Sequence, residues 1–227
     1  VYAAFINEVY IVNLKKRIAF EEIQIVYNLT NDTELEHTYM FKWFHRRKDN
    51  HSKHLSEFKK RLVMQELASL DIEAIKQFAL KGWELGETHG LPHWQRVERN
   101  GIILATSEVN ITVVRLFAYL HDKCRIDNGC DIEHGKKAAI MINGIRHTLL
   151  KELTDNEFEL LSKACELHTT TLRTGNLTID TCFDADRLDL ERVGIIPYPN
   201  KMATSKGQYY AKNLGEFYDL AVLLTME

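Results

Sequence analysis

Apolar positions along this chain follow two rhythms, and the change between them falls near residue 62. Before it, short runs such as Glu8-Val-Tyr-Ile-Val-Asn13 and Ile23-Gln-Ile-Val-Tyr-Asn28 gather β-branched and aromatic residues, a composition that suggests strands. From there Leu62, Val63, Leu67, Leu70, Ile75, Phe78 and Ala79 recur at the spacing of one helix face. Further helices are expected over about 92–105, 108–122, 132–150, 155–170, 179–193 and 207–225. Thr154, with Glu157 three residues on, makes a capping box that opens the fourth of these, and Phe158, Leu161 and Cys165 form its buried stripe. Gly194 closes the fifth, reinforced by Pro197 and Pro199. The pattern predicts a mainly α-helical domain over residues 71–227. An extension over residues 1–70 precedes it, with strands and helices both open there.

Composition narrows the class. A chain of 227 residues can bury a full core, and 45% hydrophobic with 27% charged residues is ordinary for a soluble globular protein. A net charge of -3 gives the molecule no general attraction for nucleic acid or anionic membrane. No apolar run approaches the ~20 residues needed to span a bilayer. The apolar opening Val1–Ile6 lacks a basic region and is cut short by Asn7 and Glu8, so it does not read as a signal peptide. Cys124, Cys130, Cys165 and Cys182 form no CxxC pair, and the gap between Cys124 and Cys130 fits no common zinc spacing. They read as reduced thiols of a cytoplasmic protein. One segment stands apart: Lys42–Arg61 holds eight Lys/Arg against two Asp/Glu, with Trp43 and Phe44 as stacking groups. A nucleic-acid patch would look like this, but a solvated helix face is the simpler account and is preferred.

The candidate chemistry sits at helix ends. His93 follows Gly90-Leu-Pro92, and proline favours the first helical position, so His93 falls in a first turn, where it can point into a cleft. His121 and Asp122 end a long apolar helix at the mouth of the core. In Phe183–Leu190, Asp184 and Asp186 lie two positions apart, about 200° around a helix, so they cannot both face one site. Asp186 shares its face with Cys182, Leu190 and Val193, and Asp184 shares its own with Asp180, Arg187 and Leu188. Asp186 is therefore expected to look inward, where a carboxylate needs a cation, with Asp184 as the second choice. His93, His121, Asp122 and Asp186 together offer two imidazoles and two carboxylates. That set suits one divalent transition metal such as Mn, Ni, Co, Fe or Zn.

The stretches His89-Gly-Leu-Pro-His-Trp-Gln-Arg-Val97, Leu120-His-Asp122, Asp131-Ile-Glu-His-Gly135 and Asp184-Ala-Asp-Arg-Leu-Asp189 carry a resemblance. With them the chain resembles HD-domain metal-dependent phosphohydrolases, whose pattern is His, then His-Asp, then Asp on a helical bundle. Leu190-Glu-Arg-Val-Gly-Ile-Ile-Pro197 continues like a bacterial subgroup of these proteins, and the likeness covers roughly residues 75–210. It implies that His93, His121, Asp122 and Asp186 bind one divalent cation. It also makes His134 and His168 candidates for a second metal or for phosphate. The chain lacks a paired His-His doublet, so phosphate contact or a supporting role is preferred for both. His147 reads as a surface residue and His89 as a structural histidine.

The expected reaction is hydrolysis of a phosphate ester, a nucleotide or similar small phosphorylated metabolite, by metal-activated water. Arg96, Lys123 and Arg125 are placed to hold phosphate oxygens. Asp122 would both bind metal and orient the attacking water, and Glu133 would relay a proton. The alternative is a nucleotide-sensing or nucleic-acid-binding module on the same scaffold. Hydrolysis of a guanosine tetraphosphate-type alarmone ranks lower, because the long synthetase and regulatory segments often joined to such hydrolases are absent here.

Overall fold

The structure, a computed structural model, describes residues 71–225, with side chains through residue 222. The 1–70 extension, its suggested strands, the basic 42–61 segment and the start of the helical pattern at Leu62 lie outside the described residues. Within them the chain forms eight α-helices and no strand. These are α1 (Ile72–Leu80), α2 (Leu91–Leu104), α3 (Ile111–Leu120), α4 (His134–Gly144), α5 (Asp155–Leu167), α6 (Leu177–Arg187), α7 (Ser205–Lys212) and α8 (Leu214–Thr225). Two 3₁₀ turns, Leu190–Val193 and Pro199–Lys201, separate α6 from α7. No helix among the described residues is long and apolar enough to cross a membrane.

Helix α3 is the axis of the bundle. Val113, Val114 and every residue from Leu116 to Leu120 are buried, so it is apolar nearly all round. It packs against α1, α2, α5 and α6. Burying each large side chain of this kind stabilises the fold by about 1.5–3 kcal/mol. Side-chain caps start the helices. Asp71 accepts from the Ala74 amide, Asn110 from Val113, Thr204 from Gly207, and Asn176 from both Thr178 and Ile179. The capping box at Thr154 and Glu157 is present in full. Asn110 also joins three helices, since its amide N–H donates to the Thr178 hydroxyl and its side chain to Glu157, both at 3.0 Å.

Several expected helices are shorter than the apolar rhythm implies, two of them for a visible reason. The 132–150 helix ends at Gly144, because the Arg146 guanidinium donates to the Leu150 and Leu153 carbonyls at 2.8 and 2.9 Å and folds the following segment into turns. The 207–225 helix is two helices. The Asn213 side chain donates to the Tyr209 carbonyl at 2.7 Å and competes with the backbone ladder there. The helix expected over 179–193 ends as an α-helix at Arg187, and Gly194, left-handed at φ 78°, ends the 3₁₀ turn that follows.

Candidate metal centre

Five helix ends meet at one point. His93 lies in the first turn of α2, His121 caps the C-terminus of α3 and Asp122 follows it. His134 opens α4, His168 caps the C-terminus of α5, and Asp186 lies in the last turn of α6. Helix ends carry backbone carbonyls without intrahelical partners, and His121 and His168 turn to carbonyls in the last turns of their own helices. His121 Nδ1 donates to the Phe117 and Ala118 carbonyls at 3.0 and 3.1 Å, and His168 Nδ1 donates to the Cys165 carbonyl at 2.7 Å. His134 Nδ1 donates to the Asp131 carbonyl. His93 Nδ1 donates to Asp189 Oδ2 at 2.7 Å, and Arg96 holds that carboxylate in turn through two bonds of 2.6 and 3.0 Å.

Each of these partners only accepts, so each Nδ1 carries a ring proton, and in the neutral ring Nε2 then presents a lone pair. The four Nε2 atoms converge on the Asp122 carboxylate in two groups. On its Oδ2 side, His93 and His121 Nε2 stand 3.3 Å apart, and 3.5 and 3.7 Å from Asp122. Asp186 Oδ1 closes this group at 3.4 Å from His93 and 3.9 Å from His121. On the Oδ1 side, His134 Nε2 lies 2.9 Å from Asp122 and 2.9 Å from His168 Nε2, which is itself 3.9 Å from Asp122. These buried groups, His93 with His121 and Asp122, and Asp122 with His134 and His168, could each hold a metal ion.

The donor set fits such an ion. Lone pairs facing one another at these distances repel, and a cation between them removes the repulsion. Metal–nitrogen and metal–oxygen bonds of about 2.0–2.2 Å place neighbouring ligand atoms roughly 3.0–3.6 Å apart, close to the spacings seen. Asp186 Oδ1 supplies an independent sign, being a shielded carboxylate oxygen with no hydrogen-bond partner. For His121 the electrostatics agree, whereas the carboxylates beside His93 draw it toward its protonated form. Burial pushes the His121 imidazole down to about 3, so it is the neutral form a metal requires. Burial also opposes charge on His93, but Asp122 and Asp189 outweigh it and raise its pKa above 6.5. Burial alone would raise Asp122, yet the surrounding histidines hold it well below the usual carboxylate range. The same opposition holds Asp186 at about 2, with His121, His93 and Arg192 outweighing burial.

The structure brings together His93, His121, Asp122 and Asp186, and adds His134 and His168 around the same carboxylate. From sequence, phosphate contact or a supporting role is preferred for those two with a second metal open, and their placement beside Asp122 forms a group that could hold an ion. Asp184 and Asp186 do point apart, but the reason offered from sequence was inverted. Asp184 is the fully buried one, and the Ala203 amide, the Thr204 amide and the Thr204 hydroxyl satisfy it at 2.7, 2.8 and 2.8 Å. Asp186 is half-buried and faces the imidazoles.

The expected phosphate contacts divide. Arg96 is engaged by Asp189, and Lys123 turns away to donate to the Lys81 carbonyl at 2.5 Å. Arg125 stays at the centre, with Nη1 3.6 Å from Asp122 Oδ1 and Nη2 held by the Gly129 carbonyl at 2.6 Å. Glu133 is exposed and pairs with Lys136 at 3.4 Å. Three participants were not singled out from sequence. His89, read as structural, is buried with Nδ1 3.2 Å from Asp122 Oδ2. Asp189 orients His93, and Arg192 lies 3.8 Å from Asp186 Oδ1. The i, i+3 spacing of Asp186, Asp189 and Arg192 on one face was the available signal for the last two. No protein-family description, curated protein or solved structure matches this chain.

Proposed function

We propose that this chain is a metal-dependent hydrolase of phosphate esters, on a helical bundle of the kind its motifs resemble. The observation that carries this reading is the Asp122 carboxylate, which turns each oxygen toward a separate pair of imidazole lone pairs. Such a carboxylate suits two cation positions side by side. His93, His121, Asp122 and Asp186 would hold one, and Asp122, His134 and His168 the other. Divalent cations there would supply charge to the phosphoryl group and lower the pKa of a water near it.

The rest is the work of this chain's own groups. The Nδ1 anchors fix every imidazole before a ligand arrives, so little reorganisation is needed. Asp122 and Asp186 keep their negative charge at neutral pH, balanced by the cations they face. Arg125 sits at the edge of the Asp122 group with Nη1 directed toward His134, where it can donate to a phosphate oxygen. A small phosphorylated metabolite or nucleotide is the substrate class.

The test is hydrolysis of a broad set of phosphate esters by purified protein with manganese, nickel or cobalt. Activity should vanish with chelator and return with added cation, and His121→Ala and Asp122→Ala should remove both metal and activity. Protein that takes up no divalent metal and stays silent across the set would sink the reading.

A further inference from the structure

A cleft of about 360 Å³ opens beside the metal centre, and His168 belongs to both. Its far walls come from the segment after α5 and the segment between the two 3₁₀ turns. Leu172, Ile195, Ile196 and Tyr198 line it, yet they are 42%, 53%, 69% and 64% exposed. Four large apolar side chains left in water on one cleft is a costly arrangement for a surface to keep without use.

Two of the polar side chains in the walls, Arg187 and Thr169, are already occupied. The Arg187 guanidinium donates to the Thr171 and Leu172 carbonyls at 2.7 Å each and to the Lys201 carbonyl at 3.3 Å, and it pairs with Asp184 at 3.7 Å. Thr169 spends its hydroxyl proton on the Ile132 carbonyl at 3.0 Å. Arg187 therefore ties the segment after α5 to the second 3₁₀ turn and has little left for a phosphate. The contact surface offered to a ligand is mainly apolar, with Lys201 and the Tyr198 hydroxyl among its remaining polar groups. The volume lies at the small end of the roughly 300–1,000 Å³ typical of small-molecule pockets.

We infer that this cleft is the subsite for the organic group of the phosphate ester, and that it selects esters of a compact apolar or aromatic alcohol over phosphates of small polar alcohols. The inference rests on the hydrolytic reading for the word ester, and on the cleft alone for the apolar preference. His168 sets the register: the phosphoryl group lies on the Asp122 side of that imidazole and the alcohol on the Ile196 and Tyr198 side.

The probes are benzylphosphonate and methylphosphonate, which cannot be hydrolysed, titrated calorimetrically into manganese-loaded protein. Benzylphosphonate should bind at least tenfold tighter. Ile196→Ser and Tyr198→Ser, both at exposed positions where folding is insensitive, should bring the ratio to within about twofold in the double variant. Equal affinities in the unaltered protein, a preference that survives the double substitution, or no binding of either probe overturns the proposal. The two readings fail separately. Preferential binding by a protein that hydrolyses no ester leaves the cleft standing and removes the hydrolase, whereas hydrolysis with no benzyl preference does the reverse.

Discussion

Gly135 packs α4 tightly against the end of α5, and a methyl group there would probe how the second ligand group is held. A Cβ at this position would lie 2.6 Å from the Cys165 carbonyl oxygen, 3.0 Å from the Glu166 carbonyl oxygen and 3.3 Å from His168 Cε1. The first two are backbone atoms, so the helices themselves must give. Relief to a carbon–oxygen separation of about 3.3 Å requires roughly 0.7 Å of movement (3.3 − 2.6). Overpacking of this kind costs about 1–3 kcal/mol, and replacing glycine in a helix returns up to about 1. The net cost of Gly135→Ala is then about 0–2 kcal/mol, a fall in melting temperature of no more than about 8 °C at this chain length. The effect on the site is larger. His134 precedes Gly135 and faces His168, so the same movement opens the 2.9 Å approach of their Nε2 atoms. A shift of that size exceeds the ~0.5 Å within which a ligand constellation must be kept. Manganese titration of folded Gly135→Ala protein should show one of two binding steps reduced at least tenfold and the other, assigned to the group on α2, α3 and α6, unchanged. Equal weakening of both steps, or of neither, refutes the reasoning.

Other substitutions separate the roles of neighbouring groups. Asp189→Asn weakens the hold on His93 Nδ1, and metal affinity should drop 10–100-fold by titration with helix content unaltered in circular dichroism. Asp184→Ala strips the buried Thr204 amide and its neighbour Ala203 of their acceptor, which should cost about 3 kcal/mol in urea unfolding and leave metal stoichiometry intact. Asp186→Ala should do the opposite, losing metal with no loss of stability. Acid dependence is expected at the α5 cap. Burial works against charge on Glu157, but Asn110 and Thr154 hold its pKa below 4.5. Because the folded value is the lower one, the carboxylate stabilises the fold above pH 4.5 and that contribution fades as pH falls through the folded value. Thermal unfolding of Glu157→Gln should therefore be less stable than the parent at pH 6, with the gap closing toward pH 3.

Local rules carried the helices that the apolar rhythm and caps both mark. Thr154 with Glu157, Pro92 before His93 and Gly194 after the 3₁₀ turn all act where their chemistry says they should. The rhythm failed at Gly144 and Asn213, because polar side chains there bond to nearby carbonyls, and apolar spacing carries no information about such bonds. The site was readable where a residue stands at a helix end, as with His93, His121 and Asp122. Burial of the two aspartates was misjudged for a tertiary reason: the amides that satisfy Asp184 come from residues 203 and 204, across a turn that helix geometry cannot foresee. The convergence of His134 and His168 is tertiary in the same way, since it depends on the close packing of α4 and α5 at Gly135.

The central claim is that Asp122 is shared between two cation positions. Anomalous diffraction from crystals grown with manganese tests it most directly. The account predicts two peaks about 3.5–4 Å apart on either side of the Asp122 carboxylate. One should lie among His93, His121 and Asp186, the other against His134 and His168, and both should be absent in Asp122→Ala. Crystals of the parent protein with no anomalous peak at this carboxylate would contradict it.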